Sequence, residues 1–475
     1  MLLKTITRKG TLLLQGLYHH TRHQRLVPGV TLVATASIFS WFVVTNLQPR
    51  IQDQPPNSPV HTSPEKSTQH SDRLNHSCFS STMPHTNNKM REDALYGMFI
   101  GDSLSMPVHW YYDTDNIKRD FNGWLTGFEA PRKRHPTSIL TISAVGGAGR
   151  STFSGKQKSV IGDIILHGKL QYWTKNDRSV HYHQGMAAGD NTLNNHCALR
   201  AAIQASKDPD ASYDAVLSSI MTDYVHFMTT PNTHNDTYAE SYHREFFKSW
   251  DKNGSPTQPE EVMSYVEKRV KDLENKHLDH NIDGIGALVH PIPLIIQYAD
   301  KPVDEAAKQA VKLTRMTHAS VNLDPFVDVY ARTLHGILNG ESLREKINEA
   351  LTSPPIGNVR LPKLFEEYSK KARKYEKGSE KRLEIYQSAV SQMGLACYIK
   401  GSMVSMFFLA YEFHDDFEGG MLANTNCGGE NCNRGSALGA LLGAEAARIG
   451  KTIPERFKSG LNILKPGIQS VVDKW

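Results

Sequence analysis

The sequence predicts an all-α protein. Apolar residues recur at helical spacing, strand-like alternation is scarce, and prolines and glycines stand where helices should start and stop. Asp324-Pro325 reads as an N-cap followed by proline at the first helical position. Phe326, Val329, Tyr330, Leu334, Ile337 and Leu338 then form one apolar face, and Gly340 closes the run. Residues 192–205 and 434–449 follow the same pattern. Gly435, Gly439 and Gly443 recur every four residues along the last of these, and Gly97 and Gly101 along an earlier helix, a spacing that lets a second backbone approach closely. One large helical domain is expected over residues 90–452, with 453–475 as a C-terminal tail.

The chain has 475 residues, 39% hydrophobic and 22% charged, enough apolar content for a substantial core. Its net charge is +5, yet residues 1–52 alone carry six cations (Lys4, Arg8, Lys9, Arg22, Arg25, Arg50) and no acid, which leaves the remainder at −1. A nearly neutral folded region argues against a broad nucleic-acid surface. Five cysteines, an odd number, do not make a disulfide scaffold.

Residues 1–25 form a basic leader. Residues 26–47 are 22 residues without a charge, long enough to span a bilayer but rich in Ser and Thr. Cations before this run predict a single-pass membrane anchor with a cytoplasmic N-terminus and a lumenal or extracellular domain. The alternative is a cleaved mitochondrial or plastid presequence, since the region is basic, hydroxyl-rich and free of acid. Residues 48–89 are dominated by Pro, Ser, Thr, His, Asn and Gln and read as a disordered linker.

Two polar segments stand directly before helical runs: Gly189-Asp190-Asn191-Thr192, and Cys427-Gly428-Gly429-Glu430-Asn431-Cys432-Asn433-Arg434-Gly435. Each places oxygen or sulfur groups beside free backbone N–H groups. Capping accounts for Asp190, Asn191 and Asn433 individually. The second segment carries more polar groups than a cap requires. A third cluster, residues 231–240, contains His234 and Asp236. The glycines at 146, 147 and 149 lack the lysine of a phosphate loop, and the spacing of Cys427 and Cys432 is not that of a zinc site.

Together these blocks resemble the ADP-ribosylglycohydrolase superfamily. Residues 94–108, ALYGMFIGDSLSMPV, are similar to the family's opening helix, and Asp283-Gly284-Ile285-Gly286-Ala287-Leu288 to its middle block. Thr317-His318 matches its Thr-His segment, and residues 423–444 its closing Asn-x-Gly-Gly-Asp-x-Asp-Thr block and small-residue helix. The resemblance implies an orthogonal helical bundle and a hydrolase that cleaves an N- or O-glycosidic bond of ADP-ribose. Its substrate would be an ADP-ribose-containing small molecule or an ADP-ribosylated protein, and Mg²⁺ or Mn²⁺ would sit in a central cleft. By residue, it implies Asp190 and Glu430 as catalytic, and Asp190, Asn191, Thr192, Glu430, Cys432 and Asn433 as metal ligands. His109, Gly428, Gly429, His234 and Asp236 would line the substrate site. The chain departs from the pattern: four ligand carboxylates are reduced to Asp190 and Glu430, and His109 replaces a common Glu. Two divalent ions would be only half compensated, so an altered metal centre or none is expected. A catalytically inactive ADP-ribose-binding protein or a crystallin-like structural protein on the same fold is the alternative.

Overall fold

A computed structural model describes residues 83–151, 155, 158–276 and 278–475. The basic leader, the apolar segment 26–47 and nearly all of the linker lie outside the described residues. Among the described residues no helix is long and apolar enough to cross a membrane.

The described residues form nineteen α-helices and no strand, with only isolated bridges between extended residues. The all-α expectation is met. At its centre, helix Met83–Ser105 packs along helix Asn431–Arg448. The glycine stripe explains how. A Cβ added at Gly439 would lie 2.0 Å from the Gly97 carbonyl oxygen, one at Gly101 would lie 2.0 Å from that of Gly435, and one at Gly443 would lie 2.0 Å from that of Asp93. Backbone touches backbone along three turns, and any side chain there forces the helices apart.

Around this pair, helices Asp324–Leu338, Ile399–Glu412 and Phe417–Cys427 contribute Tyr330, Leu334, Phe407, Phe408 and Met421 to the main core. A second core gathers helices Leu193–Ala205, Tyr213–Thr229, Ser241–Lys252 and Pro259–Leu273. Asp324 is the first residue of its helix and not the cap: a 3₁₀ turn, Val321–Leu323, precedes it, and its carboxylate accepts from Arg315 Nε at 2.7 Å. Residues 453–475 form two short helices that bury Phe457, Leu461, Ile468 and Val471 in the main core. No boundary is visible in the packing at 452, because the apolar face of this segment has nowhere else to be buried.

Candidate active site

Three helix N-termini converge. Asn194 stands in the first turn of Leu193–Ala205, while Glu240 and Glu430 are the N-cap residues of Ser241–Lys252 and Asn431–Arg448. Asn433 joins them. Its Nδ2 donates to Glu240 Oε1 at 2.7 Å and to Glu430 Oε1 at 3.0 Å, and its Oδ1 accepts from Asn194 Nδ2 at 2.9 Å. Asn194 Nδ2 also lies 2.9 Å from Glu240 Oε1. Asn194 Oδ1 in turn accepts from Tyr242 Oη at 3.0 Å and from His243 Nε2 at 2.9 Å.

Glu430 is held from the other side by the opening helix. After Met106–Val108 the chain turns sharply, with Trp110 in the left-handed region (φ 63°), and Trp110 N donates to the Gly429 carbonyl at 2.8 Å. Gly429 N returns the bond to the Tyr111 carbonyl at 2.8 Å. This pairing needs Gly428 and Gly429, both at φ 65°: a Cβ on either would come within 2.2 Å of a carbonyl oxygen, of Tyr111 or of Leu395. The close approach that the two glycines permit is therefore to the chain's own backbone. It delivers Trp110 Nε1 to Glu430 Oε2 at 2.6 Å and His109 Nε2 to Glu430 Oε1 at 2.9 Å. Behind His109, its Nδ1 lies 2.8 Å from His183 Nε2, and His183 Nδ1 lies 2.8 Å from Asp236 Oδ1.

Glu240 and Glu430 line one cavity of about 360 Å³. Trp110, Tyr112, Tyr182, Tyr238, Tyr398, Arg150 and Cys397 complete much of its wall. The volume and the aromatic lining fit a small-molecule site. Arg244 also lines it, but its guanidinium is tied to the carbonyls of Ala144 and Gly147 and pins the adjoining loop.

Burial sets the charge states. It pushes both Glu240 and Glu430 up to about 7, the negative charge of Glu430 raising Glu240 further. Burial, then the neighbouring His183 charge, drives His109 well below its ordinary value. His183 is lifted instead: burial opposes this, and the Asp236 carboxylate outweighs it. The same pair holds Asp236 down at about 2 despite its burial.

The residues singled out in the sequence divide into two groups. His109, Glu430 and Asn433 meet at the site, with Gly428 and Gly429 shaping it. Asp190 is turned elsewhere, its carboxylate accepting from Ala187 N at 2.8 Å, Asn235 Nδ2 at 2.7 Å and Asn462 Nδ2 at 2.8 Å. Asn191 Nδ2 and Thr192 Oγ1 both donate to Asp102, at 2.9 and 2.7 Å. His234 packs against His196 and Phe227, and burial lowers it to about 4. Asp236 stands two imidazoles behind Glu430. Of the two polar turns, 430–433 faces the cavity, and what it meets is Asn194, one helical turn beyond Asp190. Sequence reasoning missed Asn194, Glu240, Trp110 and His183. The cue available for Glu240 was an acid directly before a helical run, and for His183 the run His181-Tyr182-His183.

Mg²⁺ and Mn²⁺ require several free hard oxygens, and these donors do not fit a pair of such ions. Each oxygen of Glu430 already accepts an N–H group, Asp190 is occupied away from the cavity, and Thr192 is committed to Asp102. Asn191 gives its amide nitrogen to Asp102, which leaves its buried Oδ1, without a partner among the described residues, as the one free oxygen of the expected set, too few for two ions. Cys432 is enclosed with Met106 and Met186, and burial keeps it a thiol. The ligand atoms of His109, His183 and Cys432 lie within 4.8 Å of one another, a softer set, but its two imidazoles are bonded to each other.

No curated protein matches the sequence significantly. A solved structure described as an "ADP-ribosylglycohydrolase-related protein complex" aligns at 16% identity, over 82% of this chain and 98% of that one, with a TM-score of 0.43. The family model for ADP-ribosylglycohydrolase matches residues 86–474, nearly the whole described region. The chain belongs to the ADP-ribosylglycohydrolase family.

Proposed function

We propose that the protein is a hydrolase that cleaves an N- or O-glycosidic bond at the anomeric carbon of ADP-ribose, with Glu240 and Glu430 as its reacting carboxyls. The observation that carries this reading is the pair itself: two glutamates in one cavity, bridged by the Asn433 amide. One amide nitrogen reaches an oxygen of each carboxyl, at 2.7 and 3.0 Å, so the two groups are close neighbours, as the carboxyl pairs of glycosidases are.

The hydrogen bonds divide the roles. Glu430 accepts from Trp110 Nε1 and Asn433 Nδ2, faces His109 Nε2, and caps the Asn433 N–H, a setting that favours the carboxylate. Glu240 Oε2 receives no hydrogen bond from a described residue, which leaves that oxygen to carry a proton toward the leaving group. Glu430 Oε2, whose one hydrogen bond from a described residue is that of Trp110 Nε1, keeps a lone pair. It then forms a bond to the oxocarbenium-like carbon as the bond to the leaving group breaks and Glu240 gives its proton to the departing atom. In the second half Glu240, now ionised, takes a proton from water as that water displaces Glu430. Stacking faces from Tyr112, Tyr238 and Tyr398 suit the adenine and riboses, and the exposed Arg150 suits the diphosphate. The carrier is a small molecule or a modified protein.

The test is chromatographic detection of ADP-ribose released from N- and O-linked conjugates. Wild type should release it, and Glu240→Gln should lose most where the leaving group needs a proton. Binding of ADP-ribose with no release from any conjugate would overturn the hydrolase in favour of a binding protein.

A further inference from the structure

Four groups run in file from the cavity into the core: Glu430, His109, His183 and Asp236. Successive heavy-atom distances are 2.9, 2.8 and 2.8 Å, and none of the four side chains is more than 3% exposed. The two imidazole planes are 7° from parallel. The far end is anchored, since Asp236 Oδ2 accepts Leu193 N at 2.8 Å and its Oδ1 also accepts Tyr238 N at 3.1 Å. That carboxylate is fixed by two backbone N–H groups, that of Leu193 at a helix N-terminus and that of Tyr238 in the loop, and is not free to rotate.

We propose that Asp236 and His183 are positioning residues for Glu430, acting through His109: they hold it in the tautomer with hydrogen on Nε2, so that Glu430 receives an N–H. The reasoning is a count of hydrogens. Three short gaps need three hydrogens, and two neutral imidazoles supply two. The third makes one of the four groups carry one hydrogen more: His183 or His109 donating at both ends, or Asp236 or Glu430 as a carboxyl. Around Glu430 the remaining contacts come from N–H donors (Trp110 Nε1, Asn433 N and Asn433 Nδ2), which favour a carboxylate over a carboxyl that would donate to His109 Nε2. The two backbone N–H groups on Asp236 favour its carboxylate in the same way. Of the two imidazoles, His183 is the one bonded to the anchored Asp236 carboxylate, which lifts it, so the third hydrogen belongs to His183, between Asp236 and the bare Nδ1 of His109. His109 Nε2 is left to donate to Glu430. A single His109–Glu430 pair without this backing could take either tautomer.

The inference rests on Glu430 being a reacting carboxylate, and its tests separate the two claims. In full-length protein with ¹⁵N-labelled histidine, long-range ¹H–¹⁵N spectra should show His109 protonated on Nε2 alone and His183 on both nitrogens, assigned through His109→Gln and His183→Gln. A hydrogen on His109 Nδ1 would overturn the proposal, whether or not any conjugate is turned over. In turnover, Asp236→Asn should lower kcat by about 10²-fold or more with KM unchanged. In a His109→Gln background, where an amide supplies the N–H without a tautomer, Asp236→Asn should add little. An equal loss in both backgrounds would make Asp236 a merely structural residue. Should the Asp236 variants fail to fold, the wild-type spectrum alone decides.

Discussion

Replacing Glu240 by Gln should stabilise the protein, and only above a certain pH. In the folded chain Glu240 is pushed up to about 7 from an ordinary value of 4.5, with burial the main cause and Glu430 the second. A carboxyl raised on folding is bound to its proton more tightly in the folded state than in the unfolded chain. Its ionisation therefore costs nothing below about pH 4.5, and the cost grows as pH rises, levelling off above about 7. A shift of this size corresponds to about 3 kcal/mol. Gln keeps the acceptor for Asn194 and Asn433 and removes the charge. The assay is urea unfolding of wild type and Glu240→Gln at intervals from pH 4.5 to 8, where a change in midpoint at constant slope reports stability alone. The two proteins should coincide at pH 4.5, and the variant should be more stable by about 3 kcal/mol at pH 8. A difference that does not vary with pH, or a variant less stable at pH 8, would refute the reasoning and with it the buried setting of the Glu240 carboxyl.

Further outcomes follow from the same contacts. Gly439→Val places a side chain against the Gly97 carbonyl and should lower the melting temperature severely or prevent folding, as seen by circular dichroism. Asp190→Ala strands three N–H donors and should cost about 3 kcal/mol of stability by chemical denaturation while leaving ADP-ribose affinity within a few-fold. Elemental analysis of the purified protein should find no stoichiometric Mg²⁺ or Mn²⁺, and millimolar additions should not shift the melting temperature; one or two bound ions per chain would contradict the donor assignment. Intact mass and N-terminal sequencing of native protein decide between an anchor at 26–47, which stays attached, and a presequence, which is removed.

Much of the fold was legible because helices announce themselves locally. The expected runs 192–205 and 434–449 differ from the observed Leu193–Ala205 and Asn431–Arg448 by no more than three residues at any end. The glycine stripe foretold the contact between the first and last long helices, since only a backbone neighbour explains so many missing side chains. The site was harder. Asp190 and Asn194 both mark one helix start and differ by about a turn, and polar character does not tell which of them faces a distant element. Asp190 turned back to cap its own loop and reach Asn462, a partner from a segment that the sequence presents as a tail. Glu240 went unassigned because a lone acid before a helix usually caps it. His183 lies outside any helix, where no periodicity exposes its orientation.

Single-turnover release of ADP-ribose at pH 7 by full-length protein treated with chelator, compared with Glu430→Gln, tests the carboxylate pair most directly. Release by the wild type, reduced by about 10²-fold or more in the variant, is the predicted result. Undiminished release by Glu430→Gln, or release that appears only when a divalent cation is restored, would contradict it.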